Sequence, residues 1–379
     1  MEDLSAKVSK LAETDWDFSD ATARDPIHGI HPYPAKFIPQ IPRKLIELFP
    51  PKNGTAVLDP FCGSGTTLVE AVRARYPAIG IDINPLATLI AKVKTTPLRT
   101  SIVPLAEHIV SQAKSTPITV PSIPRIDHWF QGHVQDALAR VIHQIQRVHD
   151  QDAQDALKVA FASIVVRVSN QESDTRYAAV SKKVSTEDVY RAFLRAARSV
   201  DQAIQQEYGG MFREEPHCTV LTRDVLSVKR IEIQREVGLV VTSPPYPNAY
   251  EYWLYHKYRM YWLGMNPISV RESEIGARPH YFGKKRQSEI DFERQMGRCF
   301  EFLAEVMTAD ATACFLVGRS IIRGRTIDNR TLLIRAAAPY GLYTIGEASR
   351  RIPSNRKTFN PIHSTIDTET ILLFSRRKE

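Results

Sequence analysis

The stretch that decides the fold is Thr55-Ala56-Val57-Leu58-Asp59-Pro60-Phe61-Cys62-Gly63-Ser64-Gly65-Thr66-Thr67. Its first five residues have the apolar pattern of a buried strand, which runs into a glycine-rich turn. Residues 66–75 then predict a helix, and residues 78–83 predict a second short strand that contains Asp82. A strand, a loop, a helix and a second strand in this order are typical of a parallel sheet with helices on its faces.

The glycine-rich turn lies where open α/β sheets bind nucleotide-like ligands, between a strand and the helix that follows it. Gly63 and Gly65 would let the backbone approach such a ligand closely. Asp82 lies 23 residues after Asp59 and is suited to accept hydrogen bonds from ribose hydroxyls. The turn is not a Walker loop, and Leu68 replaces the third glycine of the dinucleotide motif. A dinucleotide-dependent dehydrogenase is therefore disfavoured.

A second motif, Thr242-Ser243-Pro244-Pro245-Tyr246, follows the strand predicted at 237–241. Consecutive prolines stiffen the backbone and remove two N–H donors, so carbonyl oxygens are left as acceptors. Ser243 adds another acceptor and Tyr246 adds a flat aromatic face. Rigid acceptors beside an aromatic ring suit a planar base that carries an exocyclic amine.

Together, the two motifs resemble those of the S-adenosylmethionine-dependent DNA amino-methyltransferases. D-P-F-x-G-S-G-T-T is similar to the family's cofactor motif, and T-S-P-P-Y to its catalytic motif. The resemblance implies catalytic roles for Ser243, Pro244, Pro245 and Tyr246. It also implies S-adenosyl-L-methionine as the cofactor. The cofactor-binding residues that it implies, including Tyr33 and Lys36 from the segment H-P-Y-P-A-K-F-I-P, are Tyr33, Lys36, Asp59, Phe61, Gly63, Ser64, Gly65, Thr66, Asp82 and Asp224.

The target base follows from the form of the tetrapeptide. Within the family, the serine form is more common in enzymes that methylate cytosine N4, and the aspartate form in those that methylate adenine N6. We therefore expect transfer to the N4 amine of a flipped cytosine, with adenine N6 as the alternative. Cytosine-C5 methylation is disfavoured because it needs a nucleophilic cysteine, usually after a proline, and no cysteine here follows one.

The predicted fold class is a doubly wound, mostly parallel sheet like that of class I methyltransferases, with a helical insertion. Residues 26–96 and 216–379 are expected to form the catalytic domain. Residues 97–215 begin with a proline-rich linker and then show helical periodicity at 134–168 and 186–206. We expect this insertion to contribute to DNA contacts. Its polar stretch 169–177 is predicted to be a connection between helices.

Positive charge is concentrated near the end of the chain. The net charge is +8, and residues 319–379 contain 12 basic and 5 acidic residues. Basic clusters in a basic protein suggest contacts with a phosphate backbone, so double-stranded DNA is the expected partner. The candidate DNA-binding residues are Lys284, Lys285, Arg286, Arg323, Arg325, Arg356 and Lys357.

Composition and motif content argue against a secreted, a membrane-spanning and a metal-binding protein. The start Met1-Glu2-Asp3-Leu4 is not that of a signal peptide, no apolar run approaches membrane-spanning length, and the four cysteines form no metal-binding pair. We expect a cytoplasmic enzyme that needs no metal and belongs to a restriction-modification or defence system, with a cognate endonuclease as a possible partner. An RNA amino-methyltransferase and an inactive DNA-binding subunit stay open as alternatives.

Overall fold

The structure is a computed structural model of the 379-residue chain. It describes residues 4–19, 25–34, 38–115, 117–174, 176–209, 218–248, 251–282, 286–352 and 368–376. In this part of the chain the helices are α1 Leu4–Glu13, α2 Gln40–Leu48, α3 Thr66–Arg73, α4 Pro85–Thr95, α5 Val103–Ala113, α6 Ile126–Trp129, α7 Gly132–Ile145, α8 Gln151–Val168, α9 Thr186–Tyr208, α10 Tyr252–Trp262, α11 Pro267–Ser273, α12 Glu289–Val306 and α13 Asn329–Ala337. The strands are β1 Ala56–Asp59, β2 Ala78–Asp82, β3 Gln171–Ser173, β4 Arg176–Ala179, β5 Cys218–Thr222, β6 Val237–Thr242, β7 Met307–Gly318, β8 Ser320–Ile322, β9 Arg325–Ile327, β10 Leu342–Arg351 and β11 Thr368–Arg376.

Seven strands form the central sheet in the order β10-β11-β7-β6-β1-β2-β5. The five strands from β7 to β5 are parallel, whereas β11 lies antiparallel between β7 and β10. The chain leaves β1 toward β2 and β5 on one side, and β6 then pairs with the other side of β1. This reversal places the topological switch point, where ligands bind in open α/β sheets, at the carboxyl ends of β1 and β6. The predicted doubly wound, mostly parallel fold is confirmed.

Both faces of the sheet are covered. Successive residues of β1 point to opposite faces. Val57 packs with α2, α3, α4 and the inserted helices, and Leu58 packs with α12 and α13 on the other face. Burial on both faces explains why β1 and β6 read as continuous apolar runs rather than as alternating patterns.

The chain between β2 and β5 is mainly helical: α8 packs against α4, α7 and α9, and α5 packs against α7 and α9. The periodicity at 134–168 corresponds to two helices, because Asp150 caps α8 by accepting a hydrogen bond from the Ala153 N–H at 2.9 Å. The prediction of a plain connection at 169–177 was wrong, since β3 and β4 pair there as a hairpin. Buried Gln171 stabilises this hairpin through its side-chain amide, which donates to the Ser173 carbonyl at 2.8 Å.

The strand predicted at 237–241 extends to Thr242 as β6, and β10 is not among the elements predicted from the sequence. β10 pairs with β11 along its whole length but keeps an exposed face, so it lacks the apolar run that marks the other strands. In the part of the chain described here, no helix has the length and apolarity that crossing a bilayer requires.

Candidate active site

A cleft opens at the carboxyl ends of β1, β2, β5 and β6. Residues from seven described segments of the chain line it, and they include most of the residues singled out in the two motifs. The lining consists of Tyr33, Pro60, Phe61, Cys62, Gly63, Ser64, Thr66, Asp82, Ile83, Asn84, Arg223, Asp224, Val225, Ser243, Pro245, Tyr252, Ser273, Glu274 and Ile275.

The glycine-rich turn forms one wall. Gly63 has φ +50°, Ser64 and Thr66 face the cleft, and α3 begins at Thr66. Gly65 does not line the cleft. With φ +81°, a Cβ added to it would lie only 2.8 Å from the Cβ of Ala91. Gly65 is therefore needed for the close approach of the turn to α4, and not for the approach of a ligand.

Asp82 ends β2 and holds the turn in place. Its Oδ2 accepts a hydrogen bond from the Gly63 N–H at 2.9 Å, and its Oδ1 accepts one from the Asn84 N–H at 2.8 Å. Burial raises the pKa of Asp82 to about 6, against the opposing effect of these two N–H groups. Each carboxylate oxygen keeps a further lone pair, so Asp82 can also accept hydrogen bonds from a ligand in the cleft.

Asp59 lies behind the cleft rather than in its wall. Its Oδ1 accepts the Thr242 hydroxyl at 2.6 Å and the Phe61 N–H at 3.1 Å. On the same strand ends, the Thr67 hydroxyl donates to the Val241 carbonyl at 3.2 Å. Burial raises the pKa of Asp59 to about 6. These bonds fasten the glycine-rich turn to the end of β6, so the two motifs are held as one unit.

The T-S-P-P-Y segment divides between the cleft and the core. Ser243 and Pro245 line the cleft, and Pro244 is buried outside the lining. Tyr246 also lies outside it, and its hydroxyl donates to the Leu316 carbonyl at 3.3 Å and lies 3.4 Å from Glu369 Oε1. Burial and the nearby Glu369 carboxylate raise the pKa of Tyr246 well above its usual value, although the Ser243 hydroxyl opposes that shift.

Tyr33 forms the opposite wall. Its ring stacks on the ring of Tyr252 at 5.8 Å and on that of His256 at 4.8 Å. A Cβ on Gly63 would lie 3.6 Å from the Tyr33 ring, so this ring sits directly over the glycine-rich turn. The predicted Lys36 lies outside the described residues.

Asp224 and Phe61 also line the cleft, as the resemblance implied. Asp224 follows β5, and its Oδ1 accepts the Leu226 N–H at 3.0 Å, which leaves Oδ2 available to a ligand. Neighbouring Arg223, which was not predicted, turns toward Glu232 and donates to it from Nε at 3.1 Å.

Three further residues of the lining were missed in the sequence. Asn84 caps α4 through its side-chain oxygen, and its buried Nδ2 has no hydrogen-bond partner among the described residues. Tyr252 and Glu274 come from an aromatic helix and from the segment after α11. Asn84 could have been found from the sequence, because it lies two residues after Asp82 at the end of β2. Nothing local marked Glu274, because its position depends on tertiary packing.

Three of the candidate DNA-binding residues, Arg286, Arg323 and Arg325, belong to the described part of the chain, and they lie near the T-S-P-P-Y segment. Arg323 and Arg325 are exposed on the β8–β9 hairpin, and the Asn248 side chain donates to the Ile321 carbonyl of that hairpin at 2.7 Å. Arg286 is exposed, and Arg323 donates to the carbonyl of the next residue, Gln287, at 3.4 Å. The predicted Lys284, Lys285, Arg356 and Lys357 lie outside the described residues.

Among the described residues, Asp25, His28 and Glu70 are close enough together to present ligand atoms to a metal. Arg73 pairs with Asp25 at 2.5 Å and with Glu70 at 2.8 Å, and Arg43 pairs with Glu70 at 2.7 Å. The arginines neutralise these carboxylates, so we assign the group to an ion-pair network that joins α2 and α3.

The mostly parallel sheet, the glycine-rich turn at its switch point and the Asp82 carboxylate at the end of β2 are the features of a class I methyltransferase fold. Comparison with known proteins agrees. Residues 4–93 match the sequence model of a family described as DNA methylase. This match confirms the resemblance to the DNA amino-methyltransferases, and with it S-adenosyl-L-methionine as the cofactor.

Three curated relatives are Type II methyltransferases. The chain is 28% identical to M.MvaI of Kocuria varians over 255 residues, which cover 61% of this chain and 56% of that protein. It is 46% identical to M.MjaII of Methanocaldococcus jannaschii over 88 residues, 21% of this chain and 16% of that protein. It is 21% identical to M.BsoBI of Geobacillus stearothermophilus over 285 residues, 66% of this chain and 55% of that protein. The chain thus spans about half the length of M.MvaI and M.BsoBI.

Proposed function

We propose that this protein is a site-specific DNA methyltransferase that transfers the methyl group of S-adenosylmethionine to the exocyclic N4 amine of a flipped cytosine. The observation that carries this proposal is that Ser243 and Pro245 of the T-S-P-P-Y segment line the same cleft as Gly63 and Asp82. A methyl donor and a base amine could therefore meet at one place in the molecule.

The cleft fits the cofactor. Asp82 offers acceptors for ribose hydroxyls, and Asp224 offers an acceptor toward an adenine amine. The buried and unpartnered Asn84 Nδ2 offers a donor. The glycine-rich turn and Tyr33 would lie on either side of the part of the cofactor that joins the ribose to the methionine end. When bound, the cofactor supplies an electrophilic methyl group on a sulfonium.

The amine is held by acceptors. An exocyclic amine is a poor nucleophile because its lone pair is delocalised into the ring. The Ser243 hydroxyl and the Pro244 carbonyl would each accept a hydrogen bond from one N–H of the amine. These two bonds would favour a tetrahedral nitrogen whose lone pair is free to react. Most of the rate enhancement would then come from positioning and preorganised electrostatics. Ser243 is a poor base, so the proton leaves afterwards to water or to a neighbouring group.

DNA is the proposed substrate, and the target base must leave the helix to reach the cleft. Tyr246 directly follows Pro245, which lines the cleft, and in this proposal it stacks on the flipped base, which is worth about 1–3 kcal/mol. The exposed Arg286, Arg323 and Arg325 would contact phosphates next to that base. Residues 97–215 are the proposed DNA-contacting insertion, and 26–96 with 216–379 the catalytic domain.

Adenine N6 is the second candidate base, because the family described by the sequence match includes enzymes for both amines. An RNA substrate and an inactive DNA-binding subunit are weaker candidates. The residues at the cleft are those that an active enzyme needs, and no RNA-binding module is recognisable in the sequence. We further propose a restriction-modification or defence role in the cytoplasm, with an endonuclease partner, which the four unpaired cysteines and the Type II names of the relatives support.

The test is to incubate the purified protein with S-adenosylmethionine and DNA, digest the DNA to nucleosides and identify the methylated base by mass spectrometry. N4-methylcytosine is expected. N6-methyladenine alone would move the assignment to the second candidate, and 5-methylcytosine would refute the mechanism. Sequencing the modified DNA would then give the recognised site.

A further inference from the structure

The cleft is acidic although the protein is basic. Among the residues that the structure describes, its lining carries three carboxylates, Asp82, Asp224 and Glu274, and a single guanidinium, that of Arg223. Arg223 is already hydrogen-bonded to Glu232. The chain as a whole has a net charge of +8. A cleft of this sign repels phosphate and favours a cationic ligand.

Glu274 is the least satisfied of these carboxylates. Its residue surface is only 7% exposed. Oε1 accepts the Tyr252 N–H at 3.1 Å, whereas the buried Oε2 has no hydrogen-bond partner in the part of the chain that the structure describes. A buried and unpaired carboxylate oxygen is costly, so its presence in a cleft indicates a missing partner.

Among the residues that the structure describes, no cationic side chain is hydrogen-bonded to Glu274 Oε2. The titratable groups that face it are the carboxylates of Asp82 and Glu251 and the phenols of Tyr33 and Tyr252. Burial raises the pKa of Glu274 to about 8, and the two carboxylates add to this effect. The backbone amides of residues 252 and 253 oppose it without offsetting it. A positive charge beside Oε2 would restore the ionised form.

Packing holds Glu274 at the T-S-P-P-Y end of the cleft. Two residues later, Gly276 has φ +76°, and a Cβ there would lie 2.5 Å from the Tyr246 carbonyl oxygen. The Gly276 carbonyl accepts the Asn248 N–H at 2.9 Å. The segment that carries Glu274 is therefore fastened to the loop that, under the proposed function, presents the base amine to the methyl group.

We propose that the Glu274 carboxylate is the counter-charge for the cofactor's sulfonium, and that it makes the cleft prefer S-adenosylmethionine over the uncharged thioether product, S-adenosylhomocysteine. The proposal rests on the proposed function for the identity of the ligand. It assigns to Glu274 a binding role that discriminates substrate from spent product by charge alone.

A proton linkage follows. Free Glu274 is largely protonated at pH 7, because its pKa of about 8 lies above that pH. A sulfonium favours the ionised form, so binding of S-adenosylmethionine releases up to roughly 0.9 proton at pH 7, and its affinity rises between about pH 6 and pH 9. The thioether product releases fewer protons. The α-amino group of the ligands titrates in the same range, but it is present in both.

Isothermal titration with S-adenosylmethionine and with S-adenosylhomocysteine tests the proposal on the whole chain. The variants are Glu274→Gln, which keeps an acceptor for the Tyr252 N–H, and the control Glu251→Gln. The control removes a nearby negative charge from a residue that does not line the cleft. We expect Glu274→Gln to weaken S-adenosylmethionine binding about tenfold or more and product binding less than about threefold. Glu251 is the weakest of the influences on the pKa of Glu274, and its removal would lower that pKa. The control should therefore leave S-adenosylmethionine affinity within about twofold of wild type, or slightly raised, and product affinity unchanged.

Wild-type protein gives a second measurement that does not depend on a variant. Titration at pH 7 in buffers of different ionisation enthalpy counts the protons released, and more should be released by S-adenosylmethionine than by its product. Equal proton counts, or equal losses of affinity for both ligands in Glu274→Gln, would overturn the sulfonium assignment. Failure of wild-type protein to bind either ligand would instead refute the proposed function itself.

Discussion

The Asp82 carboxylate offers the most direct test of the cofactor site. Its two oxygens accept the Gly63 N–H at 2.9 Å and the Asn84 N–H at 2.8 Å, and the residue lines the cleft. Asp82→Asn keeps the size of the side chain but removes its charge and turns one acceptor into a donor. Hydrogen bonds to a charged group are worth about 1.5–3 kcal/mol, so cofactor affinity should fall by about 10- to 150-fold.

The same residue predicts a pH dependence. Burial raises the pKa of Asp82 to about 6, so at pH 5 about one carboxylate in ten is ionised. Ribose hydroxyls donate to the ionised form, and binding therefore becomes stronger as pH rises through about 6. Protonation of Asp82 should lower wild-type affinity about tenfold at pH 5, and Asp82→Asn should lack this part of the pH dependence. Asp59, with a pKa of about 6, and Glu274, with a pKa of about 8, are present in both proteins, so the difference between the two profiles reports Asp82.

Isothermal titration with S-adenosylmethionine between pH 5 and pH 7 measures both effects, with thermal unfolding as a check on folding. Ser243→Ala is the matched control, because Ser243 lines the same cleft but is assigned to the base amine. If the Asp82→Asn protein binds within about twofold of wild type, or keeps the wild-type pH profile, Asp82 does not hold the ribose and the cofactor site is misassigned.

Ser243→Ala itself should lower turnover and leave cofactor affinity unchanged, since the Ser243 hydrogen bond strengthens as the amine becomes tetrahedral. Steady-state kinetics measures turnover and isothermal titration measures affinity. An equal loss of turnover and of affinity would mean that the residue is only structural. Replacing Arg323 and Arg325 with Gln should weaken specific and random duplexes alike and flatten the salt dependence of binding by about 0.9 per lost contact, and an unchanged slope would mean that this hairpin does not touch DNA. Gly65→Ala should cost about 2–4 kcal/mol of folding stability from strain and overpacking, because its added Cβ would lie 2.8 Å from a side chain of α4. Gly54→Ala is the control, with the same positive φ but open space, and equal melting temperatures for the two variants would contradict the packing argument.

The strands that lead into the two motifs, which the sequence predicted correctly, are buried on both faces of the sheet. β1 and β6 are buried on both faces, so they appear as apolar runs that end at a turn motif. β10 has one exposed face, and the short strands β3, Gln-Glu-Ser, and β4, Arg-Tyr-Ala-Ala, contain no apolar run that would mark them. Local pattern does not mark such strands, because their hydrogen bonds form with residues that are brought close only by the fold.

The residues of the candidate site also fall into those that the sequence predicted and those whose position only the structure shows. Gly63, Asp82 and Ser243 were recognised because each follows a strand within a short motif, and the carboxyl ends of parallel strands meet at one edge. Spacing alone did not separate cleft residues from supporting ones. Asp59 and Gly65 belong to the motif, but the structure turns one toward Thr242 and the other toward α4.

The sequence by itself determined the class of fold, the cofactor and the two motifs that meet at the cleft, because those depend on residue types at short spacing. Only the tertiary structure decided which motif residues face the cleft and that Glu274 joins them from a segment about 30 residues after the T-S-P-P-Y motif. It also decided that the cleft is acidic in a basic protein. Net charge is a sum over the chain, whereas the field in a cleft depends on which side chains packing brings together.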